Sequence, residues 1–419
     1  MYYGDTLLVN LDTGTTEQFS FDEVGVFGPG LAAGIGLYEK YGDADPLVIG
    51  SGLLTGTTAP ASCLGFVVGK SPLSGQVAVS PLGLYAGAEV KLSGFAMIVI
   101  RGTSDKPVYL WLHDGVADIQ DASSLWGNDS WETTDAIRQE MGEGLIQVIS
   151  AGPACEEGSR LASFSIDYWG SGDTAGLGAV MGARKLKAVA LRGLGMLDPE
   201  DPEAYYEATM ELLAGAPAEL GFGRLSKGLG AGDVDGWLKP MVHRYRSCFA
   251  CPAACNTFVK YNEPASVLAP DGVDEPGVMV TSAAAALWLM GGGWDAEPAC
   301  RAMEAMARAG IDQMRGAREL AEKPLKDPAG AAAAVSALTG SAAAGWPSSD
   351  RVGSGLFGPW VPPLGSPDEW MEAHRLGYLL GICPTYLLTS ELDWGALLGL
   401  CGPASGVELD AGKIAGMLP

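Results

Sequence analysis

The chain has 419 residues, a hydrophobic content of 47% and a formal net charge of −24. A surface this acidic repels the phosphates of nucleic acids and of anionic lipids, so we exclude nucleic acid and membrane docking. No apolar run is long enough to span a bilayer, and the N-terminus lacks the features of a secretory signal. Eight cysteines in so long a chain are not a disulfide framework and fit a reducing compartment, so we expect a cytoplasmic protein.

The first 200 residues are rich in predicted strands. Short apolar or alternating runs bounded by Gly, Pro, Asp or Ser are typical of strands. The predicted strands cover residues 6–11, 66–69, 95–100, 107–113, 145–149 and 186–191. One helix is clear in this half, at 131–141, with Ser130 as its predicted cap. No internal repeat is visible in the sequence.

The pattern changes to helices after Arg192. The predicted helices cover residues 202–213, 281–290, 297–308 and 328–338, and a last helical stretch leads to Cys383. We therefore predict an α+β fold with two domains. Residues 1–200 form a β-rich domain of two packed sheets, and residues 201–419 form a shortened helical domain that carries a metal site.

Three cysteines predict that metal site. Cys248, Cys251 and Cys255 follow the spacing C-x2-C-x3-C, which supplies three of the four thiolates that hold a [4Fe-4S] cluster. On a helical turn, this spacing would place all three sulfur atoms on one face. The best candidate for the fourth ligand is Cys383, because the flanking Gly381 and Pro384 favour an exposed turn.

Other states of these cysteines stay open at this stage. A structural zinc site, with Cys383 or His243 as its fourth ligand, is the main alternative. Unligated or disulfide-bonded cysteines are the second alternative. The default for the remaining four cysteines is a small buried hydrophobe; these are Cys63, Cys155, Cys300 and Cys401.

Two glycine-bearing segments could meet an anion. The segment 170–193 matches neither a dinucleotide fingerprint nor a Walker motif. Its backbone amides could still cradle a phosphate, with basic residues at 184–187 nearby, and a tight turn is an equal alternative. Lys70 lies beside a turn at 71–75, where a lysine is more often merely solvated. No self-contained hydrolytic site is visible.

Several motifs occur in the same order as in a known family. They cover residues 3–14, 52–57, 70–75, 123–127 and 176–189, followed by the cysteine motif and the distant Gly-Ile-Cys at 381–383. By these motifs the chain resembles the tungsten-containing aldehyde ferredoxin oxidoreductase family. The resemblance implies two β-sheets as a base with helical domains above them. It also implies tungsten between two pterins at the domain junction, and a nearby [4Fe-4S] cluster that passes electrons to ferredoxin.

The departures from the family pattern fall on positions that handle the pterins. The family arginine in its Ser-Gly-Arg-Phe motif is Leu64, and an Asn-bearing turn has become residues 80–82. Asp173 stands where a phosphate would lie. The two motifs Asp-x-x-Gly-Leu-(Asp/Cys) begin here with Ala307 and Tyr378. The family's substrate-pocket glutamate would fall near Glu275 or Gly277. Lys70, Gly176 and Gly178 would be what remains of the pterin region.

These losses lead to the functional prediction. Buried phosphates and pterin edges need cations and hydrogen-bond partners, and charge-assisted contacts contribute ~1.5–3 kcal/mol each. We therefore predict a [4Fe-4S] subunit without a working tungsten–pterin site. It would act in electron transfer or as a scaffold, and would not be catalytic by itself.

Its partner would be a catalytic paralogue, another redox subunit or ferredoxin, in a hetero-oligomer. The high hydrophobic content of so acidic a chain supports a covered subunit surface. Arg244, Arg246 and Lys260 would tune the cluster through their charge. One alternative is an active tungsten or molybdenum oxidoreductase that converts aldehydes with ferredoxin as acceptor. Another is a zinc-stapled interaction protein.

Overall fold

The computed structural model describes residues 5–20, 27–215, 221–229, 232–263, 276–339, 356–358, 360–362, 364–390 and 392–418. Its first sheet contains six strands: β1 (Asp5–Asn10), β2 (Thr15–Phe19), β3 (Leu47–Ser51), β4 (Gly65–Lys70), β5 (Val77–Leu82) and β6 (Phe95–Arg101). Their order is β2-β1-β6-β3-β4-β5, in which β1 and β6 run parallel and the other neighbours antiparallel. Helix α1 (Leu31–Lys40) lies between β2 and β3, and α2 (Ala86–Leu92) between β5 and β6.

The second sheet repeats this topology strand for strand. It contains β7 (Val108–His113), β8 (Val116–Asp121), β9 (Gln147–Ser150), β10 (Ser165–Ile166), β11 (Trp169–Gly170) and β12 (Leu186–Arg192). The order β11-β10-β9-β12-β7-β8 again has one parallel pair, here β7 with β12. Helices α3 (Ser130–Met141), α4 (Pro153–Glu156) and α5 (Leu177–Ala183) connect the strands. The fold is therefore internally repeated, although the sequence shows no repeat.

The two sheets pack face to face. Alternate residues of a strand point to opposite faces, and β1 shows this directly. Leu7 and Val9 lie in one hydrophobic cluster with Leu110 and Leu191 of the second sheet. Leu8 faces the other way, into a cluster built with the C-terminal helices. The first sheet is thus covered on both faces, which explains the continuous apolar run of β6.

The second half contains strands as well as helices. Helices α6 (Pro202–Ala214), α7 (Gly223–Leu229) and α8 (Val234–Leu238) precede an antiparallel sheet of β13 (Val242–Arg246), β14 (Asn256–Lys260) and β15 (Gly277–Val280). The later helices are α9 (Ala283–Gly291), α10 (Ala296–Ala309), α11 (Gln313–Ala321), α12 (Ala331–Thr339), α13 (Pro367–Leu380), α14 (Pro384–Thr389), α15 (Trp394–Gly399), α16 (Cys401–Ser405) and α17 (Ala411–Ala415). No helix in the described ranges has the length and apolarity that a bilayer crossing requires.

The predicted α+β class and the two N-terminal sheets are confirmed. The sequence missed several short strands, among them β2, β3, β5 and β8, and all three strands of the small sheet. The cap of α3 is Asp129, whose carboxylate accepts from the amide of Glu132, and Ser130 instead donates to the carbonyl of Ala307 at 2.8 Å. The predicted helix 328–338 is a 3-10 turn (Pro328–Gly330) followed by α12. The domain division at residue 200 stays a prediction.

Candidate metal centre

Two helices end in the same way at the two sheets. Helix α10 ends at Gly310 and α13 at Gly381, and both glycines have left-handed backbone, with φ of 73° and 88°. An isoleucine follows each glycine. The next residue is Asp312 after α10 and Cys383 after α13.

Each helix end is held by the loop between the third and fourth strands of one sheet. In the first sheet, the amide of Cys383 donates to the carbonyl of Ala61 at 3.1 Å, and the amide of Leu64 donates to the carbonyl of Gly381 at 2.9 Å. In the second sheet, the amide of Asp312 donates to Leu161 at 2.8 Å, and the amide of Ser163 donates to Gly310 at 2.9 Å. Cys383 and Asp312 therefore occupy equivalent positions, one in each repeat.

The cysteine motif lies in the loop 247–255 between β13 and β14. The helical turn that would place the three sulfur atoms on one face is therefore not formed. The loop is a hairpin connection, because Arg246 and Asn256 pair across its base. Within it, Ala250 adopts a left-handed backbone (φ 48°) and Pro252 has no amide hydrogen to donate to a helical ladder.

Ala61 joins the cysteine loop to Cys383. Its amide donates to the carbonyl of Ala250 at 2.8 Å, while its carbonyl accepts from the amide of Cys383. On the other side of the loop, the amide of Phe249 donates to the carbonyl of Leu84 at 2.9 Å. The first sheet thus brings together two segments that are far apart in the sequence.

The four sequence-predicted ligands are close neighbours in space. Cys248, Cys251, Cys255 and Cys383 are all partly exposed. The pKa values of Cys251 and Cys255 lie well above the usual range of a thiol. The main cause is burial, and the second is the charge of Cys248. The same causes raise the pKa of Cys383 to about 11. Because the sulfur atoms oppose one another's ionisation, four thiolates here require a cationic centre among them. The donor set therefore fits an iron–sulfur cluster.

A single zinc ion is the alternative occupant of these thiols. In the described part of the chain, no group of three or more His, Cys, Asp or Glu side chains is arranged to hold one metal ion. Tetrahedral zinc needs all four sulfur atoms about 2.3 Å from one point. A cluster keeps its thiolates further apart, because iron and sulfide atoms stand between them. His243, the alternative ligand, is exposed on β13 with its ring against Phe258.

Cys63 also lies at this site, and the sequence analysis missed its position. It is a buried residue, as expected, with 2% of its surface exposed. It lines the same cleft as Cys248, Cys255 and Cys383. Its side chain is the main cause that lowers the pKa of Cys248 to about 7. The sequence contains a signal for this position, because residues 62–65 align with the family's arginine motif.

A cleft with a volume of about 140 Å³ lies beside the cysteines. Both repeats contribute walls from the same places, namely the residues before the fourth strand and those in and after the fifth. The lining includes Cys63, Leu64, Pro81, Leu84, Ser163, Ile166, Gly170, Ser171, Phe222, Leu225, Cys248, Cys255, Asp312, Trp360 and Cys383. No Lys, Arg or His of the described residues lines this cleft. Among the described residues, Asp312 is the one charged residue that lines the cleft. It forms an ion pair with the buried Arg315.

The residues predicted for the pterin region do not line the cleft. Lys70 is exposed at the end of β4. Gly176 precedes α5, and the amide of Gly178 donates to the carboxylate of Asp173 at 2.8 Å. The predicted phosphate cradle is therefore already filled by a side chain of the protein.

Asp173 is the anion that fills it. Its fully buried carboxylate accepts from the hydroxyl of Ser80 at 2.6 Å and from the amides of Leu177 and Gly178. Burial raises the pKa of Asp173, and these hydrogen bonds oppose the shift. Among the basic residues nearby, Lys187 is buried and pairs with Glu156 at 2.5 Å.

The two motif positions that lost an aspartate have new roles. Tyr378 takes the hydrogen bond of the Trp360 indole at 3.0 Å and stacks on Phe357 with ring centres 5.3 Å apart. The carbonyl of Ala307 accepts from the hydroxyls of Ser130 and Ser165, both at 2.8 Å. Glu275 lies outside the described residues, and Gly277 begins β15.

The repeated sheets and the two docked helix ends define the class of fold, and comparison with known proteins gives the family that this part of the chain resembles. Residues 6–193 match the family model described as aldehyde ferredoxin oxidoreductase, N-terminal domain. The resemblance to this family that the motifs had predicted is therefore confirmed for residues 6–193.

Three curated relatives illustrate the match. The tungsten-containing aldehyde ferredoxin oxidoreductase of Pyrococcus abyssi is 36% identical over 220 residues, which are 50% of this chain and 36% of that protein. The enzyme of the same name from Thermococcus kodakarensis is 40% identical over 201 residues, 46% and 33% of the two chains. An aliphatic sulfonate oxidoreductase, WOR-like subunit, from Pyrococcus furiosus is 32% identical over 195 residues, 42% and 30%. The matched region thus spans about a third of the length of these relatives.

A solved structure shares the fold over a larger part of the chain. The active-site complex BamBC of benzoyl-coenzyme A reductase, bound to 1,5-dienoyl-CoA, aligns with a TM-score of 0.61. The alignment covers 76% of this chain and 54% of that chain, at 23% identity. At this identity the likeness concerns the fold alone.

Proposed function

We propose that this chain is an iron–sulfur subunit of the aldehyde ferredoxin oxidoreductase family without a working tungsten–pterin site. Cys248, Cys251, Cys255 and Cys383 would hold a [4Fe-4S] cluster. When bound, the cluster supplies the capacity to accept and release one electron. The role of the chain would be electron transfer or the support of a catalytic partner, in the cytoplasm.

One observation carries this proposal. Three of the four partly exposed cysteines, Cys248, Cys255 and Cys383, line a cleft from whose described lining every cationic side chain is missing. The thiols are what a cluster requires, and partial exposure leaves it open to electron exchange. The cations are what two pterin phosphates would require.

The protein's own residues fill or replace the contacts that a bis-pterin would use. Leu64 and Pro81 present apolar atoms to the cleft, and Tyr378 is bonded to Trp360. Asp173 occupies the amides at the start of α5 and would repel a phosphate. Each lost charge-assisted contact removes ~1.5–3 kcal/mol from the binding free energy, so the combined loss is enough to abolish binding.

A chain without its own catalytic site needs a partner that has one. We therefore propose a hetero-oligomer with a catalytic paralogue, another redox subunit or ferredoxin. Large apolar side chains stand exposed after the last strand of the second sheet, with Leu194 and Met196 exposed to 76% and 77%. Such residues are suited to a covered interface. A relative is named a subunit and the structural neighbour is a complex, which supports a partner for this chain as well.

Metal analysis of the anaerobically purified protein tests the proposal. We expect about four irons and about four acid-labile sulfides per chain, reversible reduction by one electron, and no tungsten. Zinc in place of iron would overturn the cluster and support the zinc-stapled alternative. The test should use the protein alone and again after co-purification with its partner.

The second candidate is an active tungsten or molybdenum oxidoreductase. The names of the relatives favour it. It predicts stoichiometric tungsten or molybdenum and an extractable pterin in the purified chain. Either result would contradict the proposal, while their absence together with bound iron would support it.

A further inference from the structure

Lys91 is a buried lysine to which the proposed function gives no role. It lies in α2, with 4% of its surface exposed. Its ammonium group donates to the carbonyl of Gly52 at 3.0 Å and to the carbonyl of Leu53 at 2.8 Å. Among the described residues, no carboxylate forms an ion pair with it, and burial lowers the pKa of Lys91 to about 7. An ammonium buried without a carboxylate is costly, which indicates that this side chain has a task.

The two peptide groups that accept hydrogen bonds from Lys91 also donate to the end of α13. The carbonyl of Gly52 and the amide of Leu53 belong to one peptide group, and this amide donates to the carbonyl of Leu379 at 3.0 Å. The next amide along the chain donates to the carbonyl of Leu380 at 2.7 Å. The loop 52–54 therefore stands between the ammonium group and the helix end, and each of its two peptide groups contacts both.

This arrangement suits the electrostatics of a helix C-terminus. The last carbonyls of a helix have no partner within it and carry partial negative charge. The ammonium group polarises the two peptide groups, so that their amides become stronger donors to these carbonyls. The loop also contacts the helix end directly, because a Cβ on Gly52 would lie 2.0 Å from the amide nitrogen of Gly381. Cys383 is only two residues further along the chain.

The second repeat contains a comparable lysine with a different partner. Lys187 is fully buried in β12 and donates to the carbonyl of Ala151 at 2.8 Å. Ala151 follows the third strand of its sheet directly, as Gly52 does in the first sheet. Lys187 is also paired with Glu156 at 2.5 Å. The second sheet thus neutralises its lysine with a carboxylate, while the first sheet, on whose side the cysteines lie, directs its lysine to the end of α13.

We propose that Lys91 is a positioning residue that fixes the end of α13 through the loop 52–54 and thereby holds Cys383 at the cysteine site. The inference rests on the proposed function, in which Cys383 is a ligand of the cluster. Without the ammonium group, the carbonyls of residues 52 and 53 lose their donor, and the end of α13 opens locally more often. Each opening removes the fourth thiolate from the cluster.

The test follows the iron of the anaerobically purified protein after a chelator is added. Lys91→Met keeps the length of the side chain and removes the ammonium group, while Lys91→Gln keeps an N–H donor without the charge. The matched control combines Lys187→Met with Glu156→Gln, which removes the buried ion pair of the second repeat and leaves no unpaired charge. We expect iron release to be about tenfold faster in Lys91→Met, the equivalent of one charge-assisted hydrogen bond. Release should be intermediate in Lys91→Gln and unchanged in the control.

A second readout reports on Cys383 itself. After iron has been removed from the protein, mass spectrometry measures the alkylation rates of Cys383 and Cys251. Cys383 should react faster in Lys91→Met, because the end of α13 is less firmly held. Cys251 lies in the loop 247–255 and should keep its rate. A general loss of stability would instead accelerate the alkylation of both cysteines.

Two outcomes would overturn the inference while the proposed function stands. The first is a folded Lys91→Met protein whose iron release or Cys383 alkylation keeps the rate of the unmodified protein. The second is an equal acceleration of iron release in Lys91→Met and in the control. If Lys91→Met does not fold, Lys91→Gln carries the same comparison. Absence of iron from the unmodified protein would contradict the proposed function, and the alkylation rates would still test whether Lys91 holds Cys383.

Discussion

Cys383 and Asp312 hold equivalent places in the two repeats of this protein. Each follows a glycine and an isoleucine at a helix end, and each amide donates to a carbonyl in the loop between the third and fourth strands, at 3.1 and 2.8 Å. One repeat therefore presents a thiol to the cleft and the other a carboxylate. The thiol adjoins three more cysteines, while the carboxylate is neutralised by Arg315. This asymmetry places any cluster on the side of the first sheet.

Cys383→Ala should lose most of its bound iron, because a [4Fe-4S] cluster needs a fourth thiolate. Cys401→Ala, which removes a buried thiol from α16, is the matched control and should keep the iron of the unmodified protein. Iron content and visible absorbance of anaerobic samples measure both. Full iron occupancy in Cys383→Ala would show that the fourth ligand is another group.

Gly381→Ala should destabilise the protein and detach Cys383 from the site. The backbone at Gly381 is left-handed (φ 88°), and a Cβ would stand 1.8 Å from the Thr55 hydroxyl oxygen. We expect a loss of about 3 kcal/mol in the free energy of unfolding, together with reduced iron content. Urea unfolding measures the first and metal analysis the second.

Gly399→Ala is the control for that variant. Gly399 ends α15, and a Cβ there would meet no atom within 4 Å. Its free energy of unfolding should change by less than about 1 kcal/mol, with unchanged iron. Equal effects of the two variants would contradict the role given to the α13 end.

Asp173→Ala should cost about 3 kcal/mol of the free energy of unfolding, because it leaves the Ser80 hydroxyl and the amides of Leu177 and Gly178 without an acceptor in a buried place. Asp173→Asn keeps the shape and one acceptor oxygen, and should cost less. Chemical denaturation of the three proteins measures the order. If the two variants are equally stable, the carboxylate does not hold these donors.

His374 should make the protein less stable as the pH falls from 6.5 to 4. Burial among Phe357, Trp360, Trp370 and Tyr378 lowers the pKa of His374 to about 4. Between pH 6.5 and pH 4, His374 is protonated in the unfolded chain but not in the folded chain. The free energy of unfolding therefore decreases over this pH range, and His374 does not change it above pH 6.5. The shift corresponds to at most about 3 kcal/mol.

The variant His374→Phe separates the contribution of His374 to the pH dependence of stability from that of the carboxylates. It keeps an aromatic ring in the cluster and removes the titrating group. The difference in unfolding free energy between the two proteins, measured in urea at pH 7 and pH 4.5, should shift in favour of the variant at the lower pH. A difference that is the same at both pH values would contradict the shifted pKa.

The sequence was sufficient for the elements with strong local signals. The apolar run of β6 and the regular pattern of α13 were recognisable because a strand covered on both faces and an amphipathic helix each leave a clear period. The motif spacing also identified the four candidate ligands and the family. It failed for the loop 247–255, where Pro252 and the left-handed Ala250 override the helical reading of the cysteine spacing.

What the sequence determined by itself is therefore chemical: which side chains are thiols, which family positions lost their charges, and which segments favour a strand or a helix. Only the tertiary structure decided that Cys63 and Cys248 line one cleft, that Asp173 fills the amides at the start of α5, and that Cys383 and Asp312 are equivalent. These relations depend on hydrogen bonds between segments distant in the chain, such as those of Ala61 to Ala250 and Cys383. A local pattern records the preferences of neighbouring residues, and it holds no information on which distant backbone groups will meet when the two sheets pack.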